Sequence, residues 1–192
     1  KGTLNLKVEA TLEPTIVEPL GGKRWLEGIT TPPLTKQQRN RSRLTLFDGV
    51  LSTVRAIRDC AVMSVICHGE GGIVLAAALS ADIRAVAYQE RKAKPEEIPR
   101  LEEAIEGLKF AILVAPHAFP IKTGFAQVRE YLPEINSITV DPHVLCFVLV
   151  PTKDAVAPVS RQIANFLHGS QPIETLFPGL SYRTLPQGLK IP

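Results

Sequence analysis

Two periods of apolar residues run along the chain. Leu46, Phe47, Val50, Leu51, Val54 and Ile57 recur at spacings of three and four. That predicts an amphipathic helix from about Arg43, with Ser42 or Thr45 as its cap. Ala61–Cys67, Phe110–Ala115 and Val144–Val150 are short unbroken apolar runs, the pattern of strands buried on both faces. His68–Gly72 turns the chain, and Ile73–Ala81 is an Ala-rich helix that is apolar all round and must be buried. Ala93–Glu106, with Pro95, Pro99 and five Glu, reads as an exposed loop entering a short helix. Pro158–Leu167 is predicted as a helix closed by Gly169, with His168 in its last turn, where a cation suits the helix dipole. Ile173–Phe177 is the last predicted strand. Strands alternating with helices define an α/β domain with a mostly parallel sheet.

The N-terminal part has a different texture. Thr11–Glu18 can hold one short strand, ended by Pro19–Gly22, and the stretch from Gly28 through Pro32 and Pro33 to Arg43 reads as surface loop. The expected organisation is an irregular segment 1–42, an α/β domain 43–180 and an extended tail 181–192. With 192 residues the chain suffices for one domain with a real core. Apolar residues at 45% and charged ones at 21% exclude a disordered tail, a collagen-like fibre and a coiled coil. The longest apolar stretches fall well short of the ~20 residues of a membrane span, so none is expected. Lys1 opens the sequence without a charged n-region or an apolar h-region, so no intact signal peptide is expected there.

Net charge is +3. Only Lys36–Arg43 approaches a basic face, and it lacks interleaved aromatics, so it reads as a solvated linker and nucleic acid is not an expected partner. Cys60, Cys67 and Cys146 are an odd number, each in or beside an apolar run. They fit buried free thiols in a reducing compartment, the cytosol or an organelle matrix or stroma, rather than a secreted disulfide framework.

A strand, a tight Gly-rich turn and a buried helix form the context of the nucleophile elbow, G-x-S-x-G. Its outer positions are small because strand and helix approach closely, and its central residue stands exposed on a strained backbone. Here the register is Cys67-His68-Gly69-Glu70-Gly71, followed by Gly72. The frame resembles the GHSxGG or GFSQG turn of α/β-hydrolases, with Cys67 for the first Gly and Gly69 where Ser belongs. Residues from about 44 to 180 are similar to the small serine hydrolases typified by the yeast family of serine hydrolases (the FSH group). Asp48–Val54 matches the D/G-L-x-x-S-L helix before that family's elbow, and Leu108–Ala115 (LKFAILVA) matches its next strand. Val150–Pro158 (VPTKDAVAP) resembles its G-x-x-D-x-x-V-P turn and puts Asp154 at the triad acid. The resemblance implies a three-layer α/β-hydrolase-like fold with a mostly parallel sheet, trimmed at its N-terminal side.

The departures from that pattern bear on chemistry. Acyl transfer by this fold needs a nucleophile, a base, an acid that orients the base, and an oxyanion hole. Gly69 has no side chain. After Asp154 the only histidine is His168, in the helix before the last strand, and Ser181 or Tyr182 falls roughly where the base belongs. No histidine precedes His68, so the family's H-G oxyanion loop is missing or not represented in this sequence. Gly69, Glu70 and Asp154 are therefore vestigial positions. Cys67 and His68 point to opposite faces of a strand and cannot readily pair; Cys67 reads as a small packing residue. His117, at the C-terminal edge of its strand where α/β ligands bind, could share a cleft with His68, Glu70 and Asp154. Glu70 near a helix N-terminus reads as a capping or solvated carboxylate. Asp141-x-His143 has ligand types without a third partner, so no metal centre and no cofactor are expected.

These residues imply a catalytically inactive hydrolase relative acting as a structural or interaction subunit of a larger assembly, with protein partners. One alternative is a small-molecule binding protein using the vestigial cleft. Another is an active esterase or thioesterase with a relocated nucleophile such as Ser64, Ser80 or Ser181, none of which has elbow context.

Overall fold

The computed structural model describes residues 16–17, 23–24, 35–117, 138–152 and 156–175. Within the predicted strand Thr11–Glu18, residues Ile16–Val17 form β1, which pairs antiparallel with β2 (Lys23–Arg24). The rest of that prediction lies outside the described residues, as does the tail 181–192.

The first helix, α1, spans Lys36–Cys60 and starts earlier than its apolar stripe suggests. Its cap is Thr35 rather than Ser42 or Thr45. The Thr35 hydroxyl accepts from the Gln38 N–H at 3.2 Å, and the Thr35 N–H donates to the Gln38 side chain at 2.8 Å. This reciprocal pair satisfies two end groups of the helix. The basic run Lys36–Arg43 is thus helical rather than a linker, although Lys36, Gln37 and Arg41 are exposed as expected. Leu46, Phe47, Val50, Leu51, Val54 and Ile57 are all buried, as their spacing predicts. Ala61, in the left-handed region at φ 49°, ends the helix.

β3 (Ser64–His68) leads through Gly69 into α2 (Glu70–Ala78), every residue of which is buried. The buried helix is the one predicted, shifted three residues earlier. α3 (Ala81–Glu90) is not among the predicted elements. Its inward face is Ile83, Arg84, Ala87 and Tyr88, and two polar members hide the apolar stripe. α4 (Ile98–Gly107) carries Pro99 in its first turn, where a missing N–H costs nothing, and buries Leu101 and Ile105. β4 (Phe110–Val114) follows, and later β5 (Ile138–Thr139) and β6 (Leu145–Pro151). α5 (Ala157–Phe166), β7 (Leu167–His168) and β8 (Ser170–Thr175) complete the order. No single helix among the described residues is long and apolar enough to cross a membrane.

The central sheet has the order β3-β4-β6-β8 and is parallel throughout, with Ser64 opposite Phe110, Phe110 opposite Leu145 and Cys146 opposite Ser170. The α/β class with a parallel sheet is therefore as the sequence reads. Right-handed crossovers that always advance the same way put their helices on one face. That face carries Ala111, Leu113, Cys146, Val148 and Val150, all buried.

The opposite face differs from expectation. The apolar runs predict strands buried on both sides, yet Ile66, Phe110, Leu145 and Ile173 stay 48%, 37%, 59% and 42% exposed. Their shared face has no helix over it among the described residues. Two layers, helices on one sheet face, are what these residues define.

β5 and β7 form a separate parallel pair, with Thr139 opposite His168. His168 therefore lies in a strand beyond the end of α5, not in the helix's last turn, because the helix stops at Phe166. Gly169 then turns at φ 86°, where a Cβ would sit 3.3 Å from the Val140 carbonyl. Glycine suits that turn on both counts.

Candidate functional site

The turn between β3 and α2 collects most of the sequence-predicted site residues. Gly69 has φ 62° and ψ −129°, a positive-φ region that a residue with a Cβ enters only under strain. Its N–H donates to the Val114 carbonyl at 3.0 Å, continuing the β3–β4 ladder one step past the strand. Its carbonyl accepts from the Gly72 N–H at 3.1 Å and from the His117 N–H at 3.3 Å. The turn is thus tied both to its own helix and to the segment after β4. Gly72 is needed for closeness: a Cβ there would lie 3.1 Å from Pro116 Cβ. Strained centre, small flanks and a helix starting at once are the backbone features of an elbow.

His117 ends the β4 segment and is wholly buried. Its Nδ1 lies 2.7 Å from the Ala115 carbonyl. A carbonyl only accepts, so Nδ1 carries the hydrogen, and in the neutral ring Nε2 is the acceptor. Ala115 itself sits at φ 44°, and the buried Ser160 hydroxyl donates to the Pro116 carbonyl at 2.9 Å. Residues 115–117 are therefore held from both sides. The imidazole is aimed at Gly69: an ideal Cβ there would be 3.0 Å from His117 Cε1 and 3.6 Å from Nε2.

His68 is exposed, and its ring meets that of His117 edge-on, 6.2 Å between centroids. Glu70 is the first residue of α2 and is buried, only 7% exposed. It is therefore no solvated carboxylate; its charge lies at the positive end of the helix. The structure brings His68, Gly69, Glu70 and His117 to one place. Asp154 lies outside the described residues, as do Ser181 and Tyr182.

The chemistry this turn offers is defined by what Gly69 lacks. No atom projects from the position where an elbow holds its nucleophile. Cys67, two residues earlier, does not replace it. Burial pushes its thiol up to about 11, and its side chain packs on the core side of β3. A nucleophilic cysteine needs the opposite shift. Burial likewise raises Cys146 to about 11. Ser64 is exposed on β3, and buried Ser80 stands at the start of α3, neither in an elbow.

Other polar residues prove structural. Asp141 pairs with Arg84 at 2.8 Å, and a ring nitrogen of His143 hydrogen-bonds the Ile105 carbonyl at 2.9 Å. Among the described residues no group of three or more His, Cys, Asp or Glu could hold a metal ion. Sequence reading misses the buried Arg84, which binds Glu102 through two nitrogens at 2.9 and 2.7 Å and the Ala78 carbonyl at 3.0 Å. Tyr88 also donates to Glu102, at 2.7 Å. Burial disfavours the Glu102 charge, but hydrogen bonds from Arg84 and Tyr88 outweigh it and keep the carboxyl below its ordinary range. The signal available in sequence is Arg84 between Ile83 and Ala87, a cation on an otherwise apolar stripe. A scan against protein-family models and searches of curated proteins and of solved structures found no match to this chain.

Proposed function

We propose that the chain is a catalytically inactive relative of the α/β-hydrolases, a three-layer fold trimmed at its N-terminal side, acting as a structural or interaction subunit of a larger assembly. Gly69 is the observation that carries this reading. The turn keeps the backbone of an elbow, yet its central residue has no side chain and the space ahead of it holds the buried ring of His117. Removal of one triad member already forfeits most of the acceleration of acyl transfer. The raised thiol of Cys67 argues against a neighbouring substitute. Apolar β3, at the edge of the described sheet, supports the interaction role, because sheet edges offer pairing groups to other chains.

Two measurements separate the halves of the proposal. A fluorophosphonate probe that labels activated serines is expected to leave the protein unmodified; stoichiometric labelling would overturn the inactive reading. The native mass of the protein from its source, with co-migrating proteins identified, is expected to exceed that of one chain by fixed partners. A free monomer would sink the subunit role.

A further inference from the structure

We propose that the groove at the end of α3 binds a small aliphatic carboxylate, its chain on the apolar floor and its headgroup between Gln89 and Lys92. The groove measures about 420 Å³ and is lined by Ala85, Tyr88, Gln89, Lys92, Ala93 and Ile98. That volume falls in the range of small-ligand sites. The side chains of Ala85, Ala93 and Ile98 offer only carbon to it. Tyr88 adds the carbons of its ring, because its hydroxyl is engaged with Glu102 at 2.7 Å.

The backbone at Lys92 is the observation that points to a ligand. α3 ends in a pair of bonds, the Ala93 N–H to the Tyr88 carbonyl at 2.9 Å and the Lys92 N–H to the Gln89 carbonyl at 3.2 Å. That motif places one residue in the left-handed region, where glycine is the usual occupant. Lys92 stands there at φ 49°. Strain of this kind clusters at binding sites, where a use compensates for it. The fold supplies no such use. Lys92 is exposed, and among the described residues its ammonium forms no ion pair. The charges flanking it are matched elsewhere: Glu90 with Arg43 at 3.1 Å, Arg91 with Asp48 at 2.6 Å, and Glu97 with Arg55 and Arg58 at 2.8 Å. Nor does the helix dipole require the lysine, since Arg91 at the cap already places a cation there.

Chemistry then selects the ligand. Gln89 and Lys92 bring an amide N–H and an ammonium to the rim, three residues apart and so on one side of the chain. Two such donors complement one carboxylate. A phosphate carries more charge and more acceptor oxygens than these two side chains can match. The carbon floor suits an alkyl chain, each methylene of which strengthens binding as it leaves water.

The probe is octanoate, titrated into the isotope-labelled full chain and read by amide NMR. Saturable shifts are expected at Ala85, Gln89, Lys92 and Ala93, with a dissociation constant of about 1 mM, ordinary for a ligand of roughly ten heavy atoms. Octanol, with the chain but no charge, and acetate, with the charge but no chain, should each bind at least about tenfold more weakly. Lys92→Gly should bind octanoate about tenfold more weakly while melting no lower than the parent, so that lost binding is not lost structure. Lys92→Gln, which keeps a side chain without the charge, should show the same loss. The proposal is overturned by the absence of saturable shifts at these amides, by octanol binding as tightly as octanoate, or by octanoate binding that both Lys92 variants leave unchanged.

Discussion

The ring of His117 presses against the space that a side chain on Gly69 would enter, its Cε1 3.0 Å from an ideal Cβ. Gly69→Ala therefore meets two obstacles: a left-handed backbone that disfavours a Cβ, and a ring held in place by its bond to the Ala115 carbonyl. We expect a loss of about 2–4 kcal/mol, read as a lower urea midpoint at unchanged slope. Adding His117→Ala removes the clash but not the strain. The double variant should thus lose less than the two single losses added together. Strict additivity would mean that ring and glycine do not meet.

Arg84 is the charge on which the second contact network depends. It is 3% exposed and holds Glu102 and Asp141 at 2.7 and 2.8 Å. Arg84→Met leaves two carboxylates without their cation, and removal of one partner from a buried pair costs about 3 kcal/mol or more. Arg84→Lys should recover little, because an ammonium cannot reproduce the two-pronged grip on Glu102. Urea titration of both variants checks this, and a lysine variant as stable as the parent would refute the geometric argument.

Acid sensitivity should come in part from Glu97. Hydrogen bonds from Arg55, and then from Arg58, overcome the cost of partial burial and hold its carboxyl down at about 2, against an ordinary 4.5. A carboxyl depressed in the folded state contributes stability above its unfolded value and loses it as pH falls through the folded one. Glu97→Gln should accordingly be less stable than the parent at neutral pH, with the gap closing between about pH 4.5 and 2. Parallel melting curves across that range test it; a gap constant with pH would remove the role assigned to this carboxylate.

The parts of the fold legible in sequence are those where one physical signal dominates. The apolar stripe Leu46–Ile57 and the runs Phe110–Ala115 and Val144–Val150 became helix and strands because burial overrides all else there. The start of α1 was hidden because its first two turns are polar and solvated, and only the Thr35–Gln38 reciprocity marks the cap. α3 was hidden because Arg84 and Tyr88 interrupt its stripe, and their burial depends on Glu102 and Asp141, distant partners that local periodicity does not register. The exposed sheet face departs from the sequence pattern for a related reason: an unbroken apolar run shows that both faces of a strand are apolar, not that both are covered. At the candidate site, the missing side chain at Gly69 was plain in the sequence. The filling of its space by His117 needed the third dimension.

Thiol reactivity gives the sharpest check on the inactive reading of the turn. With burial holding Cys67 and Cys146 at about 11, only a fraction on the order of a thousandth of either is thiolate at pH 8. The half-buried Cys60, at the end of α1, should react with iodoacetamide first. The rates at Cys67 and Cys146 should rise about tenfold per pH unit from 8 to 10 while the fold persists, as the thiolate fraction does. Peptide-level mass spectrometry of a pH series separates the three sites. Rapid, pH-insensitive alkylation of Cys67 at neutral pH would reveal an activated thiolate beside the turn. A nucleophile would then exist one residue from His68, and the absence of a side chain at Gly69 would no longer argue against catalysis.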